Sequence, residues 1–280
     1  MIEAVYISSN GKKFNLIGDK MRITNGRVHK YSWKKVVIAG KYGDILDGFT
    51  KEACAYRLTI TFRGGLLERM QMLDDLRSAF ERDIATGTPG KLYFGKYYIE
   101  CFIVESDTYV SETQNNWSDN EIEIYCPSGF WITESTKSFT TAGSQSGAVY
   151  EFLDYPYDYD YDYAPDFYPP EIINIDHYAD CKFLLKIYGP AIDPSVTING
   201  IERKVYVTLE EGQYLLIDVR DKTVKRILID GTALDAFDNR KKAGKSIFIP
   251  MVPGLNEIVW NHSFGFDLTI FKERSEPEWR

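Results

Sequence analysis

The most regular pattern of reactive side chains is an alternation of acid and tyrosine, DYPYDYDYDYAPDFYPP, over residues 154–170. An EF-hand calcium loop needs acids at positions 1, 3 and 5, glycine at 6 and glutamate at 12. If Asp158, Asp160 and Asp162 are the first three ligands, Tyr163 stands where glycine must bend the chain and Pro169 where the last carboxylate belongs. A start two residues later fails as well. We therefore expect a solvated acidic connection and no metal site.

The tyrosines of this stretch are a candidate surface for protein contact. In an extended strand, the tyrosines from Tyr155 to Tyr163 share one face and the carboxylates share the other. Tyrosine covers contact area with little loss of rotamer entropy and can also hydrogen-bond. The pattern predicts a linker whose tyrosine face docks on a protein surface while the acids stay in water.

The remaining motifs supply no catalytic or cofactor site. The run KKAGKS, Lys241–Ser246, resembles a phosphate loop, but Asn239 replaces its first glycine, and the run leads into a predicted strand, SIFIP. The three histidines lie in separate parts of the chain without metal-ligand spacing, and no serine lies in a GxSxG elbow. The sequence predicts no enzyme, no cofactor and no metal. A cell-wall hydrolase is kept as an alternative, because the separation of paired catalytic carboxylates is a property of the fold and has no sequence signature.

The charge distribution argues against a nucleic-acid partner. Of the net charge of −8, most lies in residues 134–170, which hold seven acids and one lysine. Phosphate binding needs a basic face, and the sequence pI is about 5.1. No stretch approaches the ~20 apolar residues of a membrane span, and the first residues lack the pattern of a secretion signal.

The cysteines predict a protein that folds in a reducing compartment. Cys54, Cys101, Cys126 and Cys181 are widely spaced, lie in apolar strand-like segments and form no CxxC pair. Free cysteine usually behaves as a small core residue. We expect four buried free thiols.

A first domain is predicted over residues 1–133, as a mostly β, sandwich-like fold with one helix and one hairpin. EAVYISS, KKVVIA and ACAYRLTITFRG alternate apolar and polar residues, which is typical of strands. Over residues 66–85 the period becomes helical. The apolar residues at helical spacing, expected on the buried face, are Leu66, Met70, Leu73, Phe80 and Ile84. A hairpin around Gly95 and the strand SDNEIEIYC follow.

The rest of the chain is predicted to be a linker and a second domain. Residues 134–149 are rich in Ser, Thr and Gly, and the acidic tyrosine stretch extends this connection to residue 170. Residues 171–280 contain seven or eight short strand patterns at roughly ten-residue spacing, with Gly, Asn or Asp between them. This spacing is typical of an antiparallel β-sandwich.

The ordered series of elements resembles the distal tail proteins of long-tailed, non-contractile bacteriophages. The resemblance covers nearly the whole chain and is strongest in SVTINGIERKVYVTLEEGQYLLIDVRDKTV and VPGLNEIVWNHSFGFDLTIFKERSEPEW. In the first domain it rests on architecture, namely strands, a single helix and then the hairpin after Gly90. These stretches contain no catalytic signature.

The resemblance implies a structural hub protein of the virion. It implies a homo-hexameric ring of N-terminal domains around the tail channel, at the distal end of the tail, with galectin-like C-terminal sandwiches projecting outward. The implied partners are the tail tube protein, the tail-tip protein and receptor-binding proteins, with assembly after synthesis in the host cytoplasm.

A ring of this kind needs a contact surface on the first domain. The run LYFGKYYIECF has more apolar and tyrosine bulk than a small sandwich requires. The predicted interface residues are Phe94, Tyr97, Tyr98 and Phe102. The alternative is that the whole run is core.

The alternative function is adhesion to a host cell-wall glycan. True galectins bind sugar through a polar His-Asn-Pro-Arg run and a stacking tryptophan, whereas His262 is followed here by Ser263 and Phe264. Trp260 and Trp279 are candidate stacking residues, with a core or interface position as the alternative.

Overall fold

The computed structural model describes residues 3–110, 116–141 and 170–278 and divides the chain into two units. Unit 1 comprises Met1–Thr133 together with Glu273–Arg280, and unit 2 comprises Glu134–Lys272. The chain passes from unit 1 into unit 2 within one strand and returns within another. The acidic tyrosine stretch over residues 154–169 lies outside the described residues.

Unit 1 is built from strands and one helix, as the sequence pattern predicts. Its elements are β1 (Ala4–Ile7), β2 (Lys13–Asn15), β3 (Met21–Gly26), β4 (Lys34–Gly40), β5 (Gly43–Thr50), β6 (Cys54–Arg63), α1 (Leu66–Thr86), β7 (Gly90–Phe94), β8 (Tyr97–Val110), β9 (Trp117–Cys126) and β10 (Trp131–Phe139), which continues into unit 2.

The long strand β8 belongs to two antiparallel arrays in unit 1. Its first residues pair with β7, which pairs with β1 and then β2. From Phe102 onward it pairs with β9, which pairs with β6 and then β3. A register shift between Ile103 and Glu105 marks the change and leaves Val104 exposed. Strands β4 and β5 form a separate two-stranded sheet.

The core of unit 1 lies between these strands and α1, but the buried helix face differs from the predicted one. Leu73 and Phe80 are buried as expected, whereas Leu66, Met70 and Ile84 are about half exposed. The buried helix residues are Arg69, Leu73, Leu76, Ala79, Phe80 and Asp83. The buried face of the helix is therefore displaced from the predicted apolar face, and it includes two polar residues, Arg69 and Asp83.

Unit 2 is an antiparallel two-sheet structure. Its further strands are β11 (Glu171–Ile175), β12 (Lys182–Tyr188), β13 (Ala191–Ile192), β14 (Ser195–Ile198), β15 (Ile201–Lys204), β16 (Thr208–Leu209), β17 (Tyr214–Asp218), β18 (Thr223–Ile227), β19 (Ala233–Asp235), β20 (Gly254–Val259) and β21 (Phe266–Arg274). One sheet has the order β19-β18-β17-β12-β21-β10, the other has the order β11-β20-β14-β15, and β13 and β16 form a separate pair.

The two sheets of unit 2 enclose one apolar core. Alternate residues of β12 point inward, and Phe183, Leu185 and Ile187 are fully buried. Ile258 of β20, in the other sheet, belongs to the same core cluster. The mostly β fold class is therefore confirmed. The closer assignment to a galectin-like sandwich stays a prediction.

The observed units and the predicted domains differ at two places. The predicted linker begins at residue 134, but residues 134–139 continue β10 as an ordered strand of unit 2. The predicted second domain runs to residue 280, but residues from 273 onward belong to unit 1. Arg274 donates a hydrogen bond to the Tyr97 hydroxyl at 3.2 Å, which ties this segment to β8.

Candidate assembly surface

The predicted interface on the β7–β8 hairpin is largely covered by the chain itself. Tyr97 and Tyr98 are only 5% and 2% exposed. Phe94 is half-buried and packs edge-on against the core residue Trp131, with ring centroids 5.6 Å apart. Phe102 is also half-buried. The core alternative thus describes Tyr97 and Tyr98, and aspartate at these positions would damage the fold of unit 1.

The surface with the most exposed apolar side chains in unit 1 is the β4–β5 hairpin. Nearly every residue of both strands is exposed. The large apolar side chains concerned are Val37 (50%), Ile38 (55%), Tyr42 (93%), Ile45 (63%), Leu46 (53%) and Phe49 (57%). Contiguous apolar patches of this kind mark interaction surfaces, and an isolated two-stranded hairpin is at best marginally stable in water.

The hairpin is apolar on both of its faces. Directly opposed residues of an antiparallel pair point to the same side. Val37 opposes Leu46 and lies on one face, and Ile38 opposes Ile45 and lies on the other. A strand that covers a single core alternates apolar and polar residues. The exposed apolar side chains of this hairpin therefore lie on both of its faces.

The base and the turn of the hairpin are well defined. At the base, the Lys51 ammonium lies between the rings of Tyr31, Trp33 and Phe130, at 5.5 to 5.7 Å from their centroids. Burial there lowers the pKa of Lys51. At the turn, Gly43 has a φ of 127°, and a Cβ on Gly40 would lie 2.5 Å from the Gly43 carbonyl oxygen. The two glycines therefore permit the close approach of the strands.

Basic residues cluster in the first half of this region. Residues 27–41 contain five lysines and arginines and no aspartate or glutamate. Acidic residues lie next to part of this basic segment, because Arg27 and Lys30 line one groove together with Arg57, Glu121 and Glu123. Arg57 pairs with Glu123 at 2.9 Å and with Glu105 at 3.6 Å. Basic and acidic side chains of unit 1 thus lie side by side within the chain.

A second apolar surface lies along α1. Leu67 is 81% exposed, and Leu66 and Met70 are about half exposed beside it. Farther along the helix, Ile84 and Val104 of β8 line a groove of about 320 Å³ with Arg77 and Glu81. The exposed side of the helix is thus a further candidate contact surface.

The chemical motifs remain separate in the structure. His262 stacks on Trp260 at 3.7 Å between ring centroids, and burial lowers the pKa of His262. Lys241 of the KKAGKS run forms an ion pair with Glu202. Residues 246–250, predicted as the strand SIFIP, contain a turn at Ile247 and Phe248 and no strand, although Ile247 is buried and Phe248 packs against the core of unit 2. Within the ranges that the structure describes, no group of three or more His, Cys, Asp or Glu is arranged to hold a metal ion.

The tryptophan considered for sugar stacking is a core residue. Trp260 is 6% exposed, and its indole N–H donates to the Phe264 carbonyl at 3.2 Å. Trp279 lies outside the described residues. In the described part of the chain, no helix is long and apolar enough to cross a bilayer.

Solved structures that are similar to this chain include a phage hub protein and phage baseplate proteins. The SPP1 Dit (gp 19.1) protein, described as a paradigm of the hub adsorption apparatus in phages that infect Gram-positive bacteria, aligns with a TM-score of 0.59 at 12% identity, over 98% of this chain and 99% of that one. Two structures of the phage P2 baseplate in its activated conformation, with Ca and with Sr, align with a TM-score of 0.65 at 13% and 14% identity, over 99% of this chain and 100% of theirs.

The chain has the fold of phage tail hub proteins. Comparison with protein-family models gives no match, and comparison with curated proteins gives none either. Because the structural match spans both units of the chain, it confirms the resemblance at the level of the fold.

Sequence reasoning missed the β4–β5 hairpin as a contact surface. KKVVIA was interpretable as a strand, but the apolar residues Val36, Val37 and Ile38 are consecutive. Consecutive apolar residues place side chains on both faces of a strand. Together with the glycine turn and the apolar residues of DILDGF, this run is a readable signal of a two-sided hairpin.

Proposed function

We propose that the protein is a structural hub of a phage tail tip, with no catalytic step of its own. The observation that carries this proposal is the match in fold over 98–99% of the chain to a phage hub protein and a phage baseplate protein. Both units take part in the match, so a chance likeness of one small β domain does not account for it.

The hub is a ring of six copies at the distal end of the tail. It links the tail tube protein to the tail-tip protein and carries receptor-binding proteins at its edge. In this proposal the protein is made in the host cytoplasm and acts in the virion. A closed ring uses a heterologous interface, in which one surface of a copy contacts a different surface of the next.

The β4–β5 hairpin supplies one side of that interface. Its two apolar faces require two covering surfaces, and neighbouring copies in a ring provide apolar surfaces such as the exposed side of α1.

The test is the mass of the full chain measured by native mass spectrometry and by light scattering on a sizing column. We expect a hexamer for the wild type and a monomer for Ile38→Lys/Ile45→Lys, because charge on one apolar face prevents its burial. The matched control is Ile192→Lys/Ile229→Lys, which makes the same substitution at exposed isoleucines of unit 2 that are 79% and 72% exposed. The control should remain hexameric.

The outcomes separate the parts of the proposal. A wild type that stays monomeric, with or without added tail tube protein, contradicts the ring. A hexamer that persists in the Ile38→Lys/Ile45→Lys variant keeps the ring and excludes the hairpin as its contact. Circular dichroism of both variants must match the wild type, which the exposure of all four isoleucines leads us to expect.

A further inference from the structure

Three of the four cysteines lie in one row across adjacent strands of unit 1. Cys54 of β6 stands directly opposite Cys126 of β9 in the antiparallel register. On the other side of β9, the Cys126 thiol hydrogen-bonds with Cys101 of β8. All three thiols are free, and Cys181 lies apart in unit 2. The row was invisible in the sequence because only the strand register brings these positions together.

The spacing of this row suits a disulfide. Opposed residues of an antiparallel pair have Cα atoms about 4.5–5.5 Å apart, and a disulfide accepts about 4.4–6.8 Å. The members differ in access, because Cys101 and Cys126 are fully buried and Cys54 is half-buried. An oxidant from solvent therefore meets Cys54 first. The described residues offer no metal-binding group at this row.

We propose that the Cys54–Cys126 pair is an oxidative cross-linking site that a hydroperoxide converts to a disulfide. The Cys54 sulfur attacks the peroxide O–O bond and becomes a sulfenic acid, and one water leaves. The Cys126 sulfur then displaces the hydroxyl group from Cys54, and a second water leaves. The two thiols lose two hydrogens and two electrons, and one hydrogen peroxide is reduced to two waters.

The surroundings of the thiols set the rate of the first step. The hydrogen bond with Cys126, followed by burial, raises the pKa of the Cys54 thiol, although the nearby Lys51 ammonium acts in the opposite direction. The hydrogen bond with Cys101 is the main factor that raises the pKa of Cys126. Because the thiolate is the nucleophile, oxidation is slow at neutral pH and accelerates as the pH rises. The opposed register makes the second step fast.

The test is treatment of the reduced full chain with hydrogen peroxide, followed by alkylation of remaining thiols and peptide mapping without reductant. We expect a Cys54–Cys126 peptide pair, a mass lower by two hydrogens and two of four thiols still alkylated. Cys181→Ala, the control, should cross-link as the wild type does. In Cys54→Ala, the three remaining thiols should stay reduced for longer than Cys54 and Cys126 do in the wild type. A higher pH should speed cross-linking of the wild type.

Two results would overturn the assignment. One is a Cys101–Cys126 pair in place of Cys54–Cys126, and the other is Cys54 over-oxidised to sulfinic acid while Cys126 stays free. The cross-linked chain should also show a thermal midpoint several degrees higher, reversed by dithiothreitol, because the bond closes the long loop between β6 and β9. Only unit 1 of a single chain is involved, so the outcome is independent of the proposed ring.

Discussion

At the scale of the single residue, Arg203 shows how a charge can occupy a core. Its side chain is 1% exposed and lies over the Phe183 ring at 4.9 Å. The guanidinium donates to the carbonyls of Ile198 at 3.3 Å, Ile201 at 2.8 Å and Ile249 at 2.9 Å. Burial lowers the pKa of Arg203 to about 10, so the group is still charged at neutral pH.

Replacing Arg203 should destabilise unit 2 strongly. Arg203→Met leaves three carbonyl groups without their donor, and we expect a loss of about 2–5 kcal/mol in the free energy of unfolding. Urea denaturation of the full chain, followed by tryptophan fluorescence, measures it. The control is Lys204→Met on the same strand, which should cost less than about 1 kcal/mol because its side chain is only partly buried. Equal losses in the two variants would contradict the assigned role of Arg203.

The sequence could predict the position of Arg203 in a strand but not its direction. Arg203 and Val205 are both buried, two residues apart in ERKVYV. The strand alternation therefore predicts that the Arg203 side chain points into the core, whereas its charge predicts that the side chain points to solvent. Two of its three partners are backbone carbonyls on other segments, those of Ile198 and Ile249. Likewise, the thiol row depends on the register of three strands, which local sequence does not specify.

At the scale of the element, α1 shows where a prediction of the buried face from apolar periodicity fails. The sequence predicts its extent well, since the structure has Leu66–Thr86, but the buried side includes Asp83. The Tyr6 hydroxyl donates to Asp83, and so do the backbone amide and the hydroxyl of Ser9, at 2.8 and 2.6 Å. These tertiary hydrogen bonds hold the helix against β1 and the following turn. No helical apolar pattern contains that information.

Removing the Asp83 carboxylate should release this side of the helix. Asp83→Ala leaves the Tyr6 hydroxyl and the Ser9 donors without their acceptor, and we expect a loss of about 2–4 kcal/mol in unfolding free energy. The control on the same helix is Asp75→Ala, whose exposed ion pair with Lys12 at 3.0 Å should be worth less than about 1 kcal/mol. Thermal and urea unfolding report both. Similar values for the two variants would show that Asp83 is not a structural anchor.

Strands and hairpins were predictable where a strand covers one core. The alternation in β9 appears in its burial pattern, in which every second residue from Ser118 to Cys126 is buried. The β4–β5 hairpin breaks this rule because exposed apolar side chains lie on both of its faces. Such a run is not explained by burial against the core of unit 1.

At the scale of the whole molecule, a short segment after unit 2 closes unit 1. Besides the Arg274–Tyr97 bond, Glu278 pairs with Lys96 at 3.0 Å and with Arg274. Glu276 lies 3.9 Å from His29. Sequence reasoning did not separate residues 273–278 from the preceding residues, because the strand β21 runs without interruption across this boundary, from Phe266 to Arg274.

The attachment of residues 273–278 to the rest of unit 1 should weaken at low pH. The hydrogen bond from Lys96 is the main factor that lowers the pKa of Glu278, to about 2 from an ordinary 4.5. Because the pKa of Glu278 is lowered in the folded state, the contribution of the Lys96–Glu278 pair to the stability of this attachment is complete above pH 4.5 and is lost as the pH falls toward 2. Salt should weaken it, because the pair is exposed.

Hydrogen exchange of the amides in residues 273–278, followed by mass spectrometry over this pH range, measures the attachment. Protection, corrected for the intrinsic pH dependence of exchange, should fall with pH in the wild type. In Glu278→Gln it should be low and independent of pH. The control Glu52→Gln, which removes the exposed pair with Lys34, should behave as the wild type does. Unchanged protection in Glu278→Gln would exclude this pair as the attachment.

Unit 1 is formed by two segments of the chain that are separated by unit 2, so the ribosome synthesises them at different times. Translation produces residues 1–133 first, then the whole of unit 2, and only afterwards the residues from 273 onward that return to β8. A nascent chain therefore holds the early strands of unit 1 without their final partner for the time needed to add Glu134–Lys272. The Arg274–Tyr97 bond cannot form before that interval ends, so the surface on which it lies is completed only after unit 2 has been synthesised.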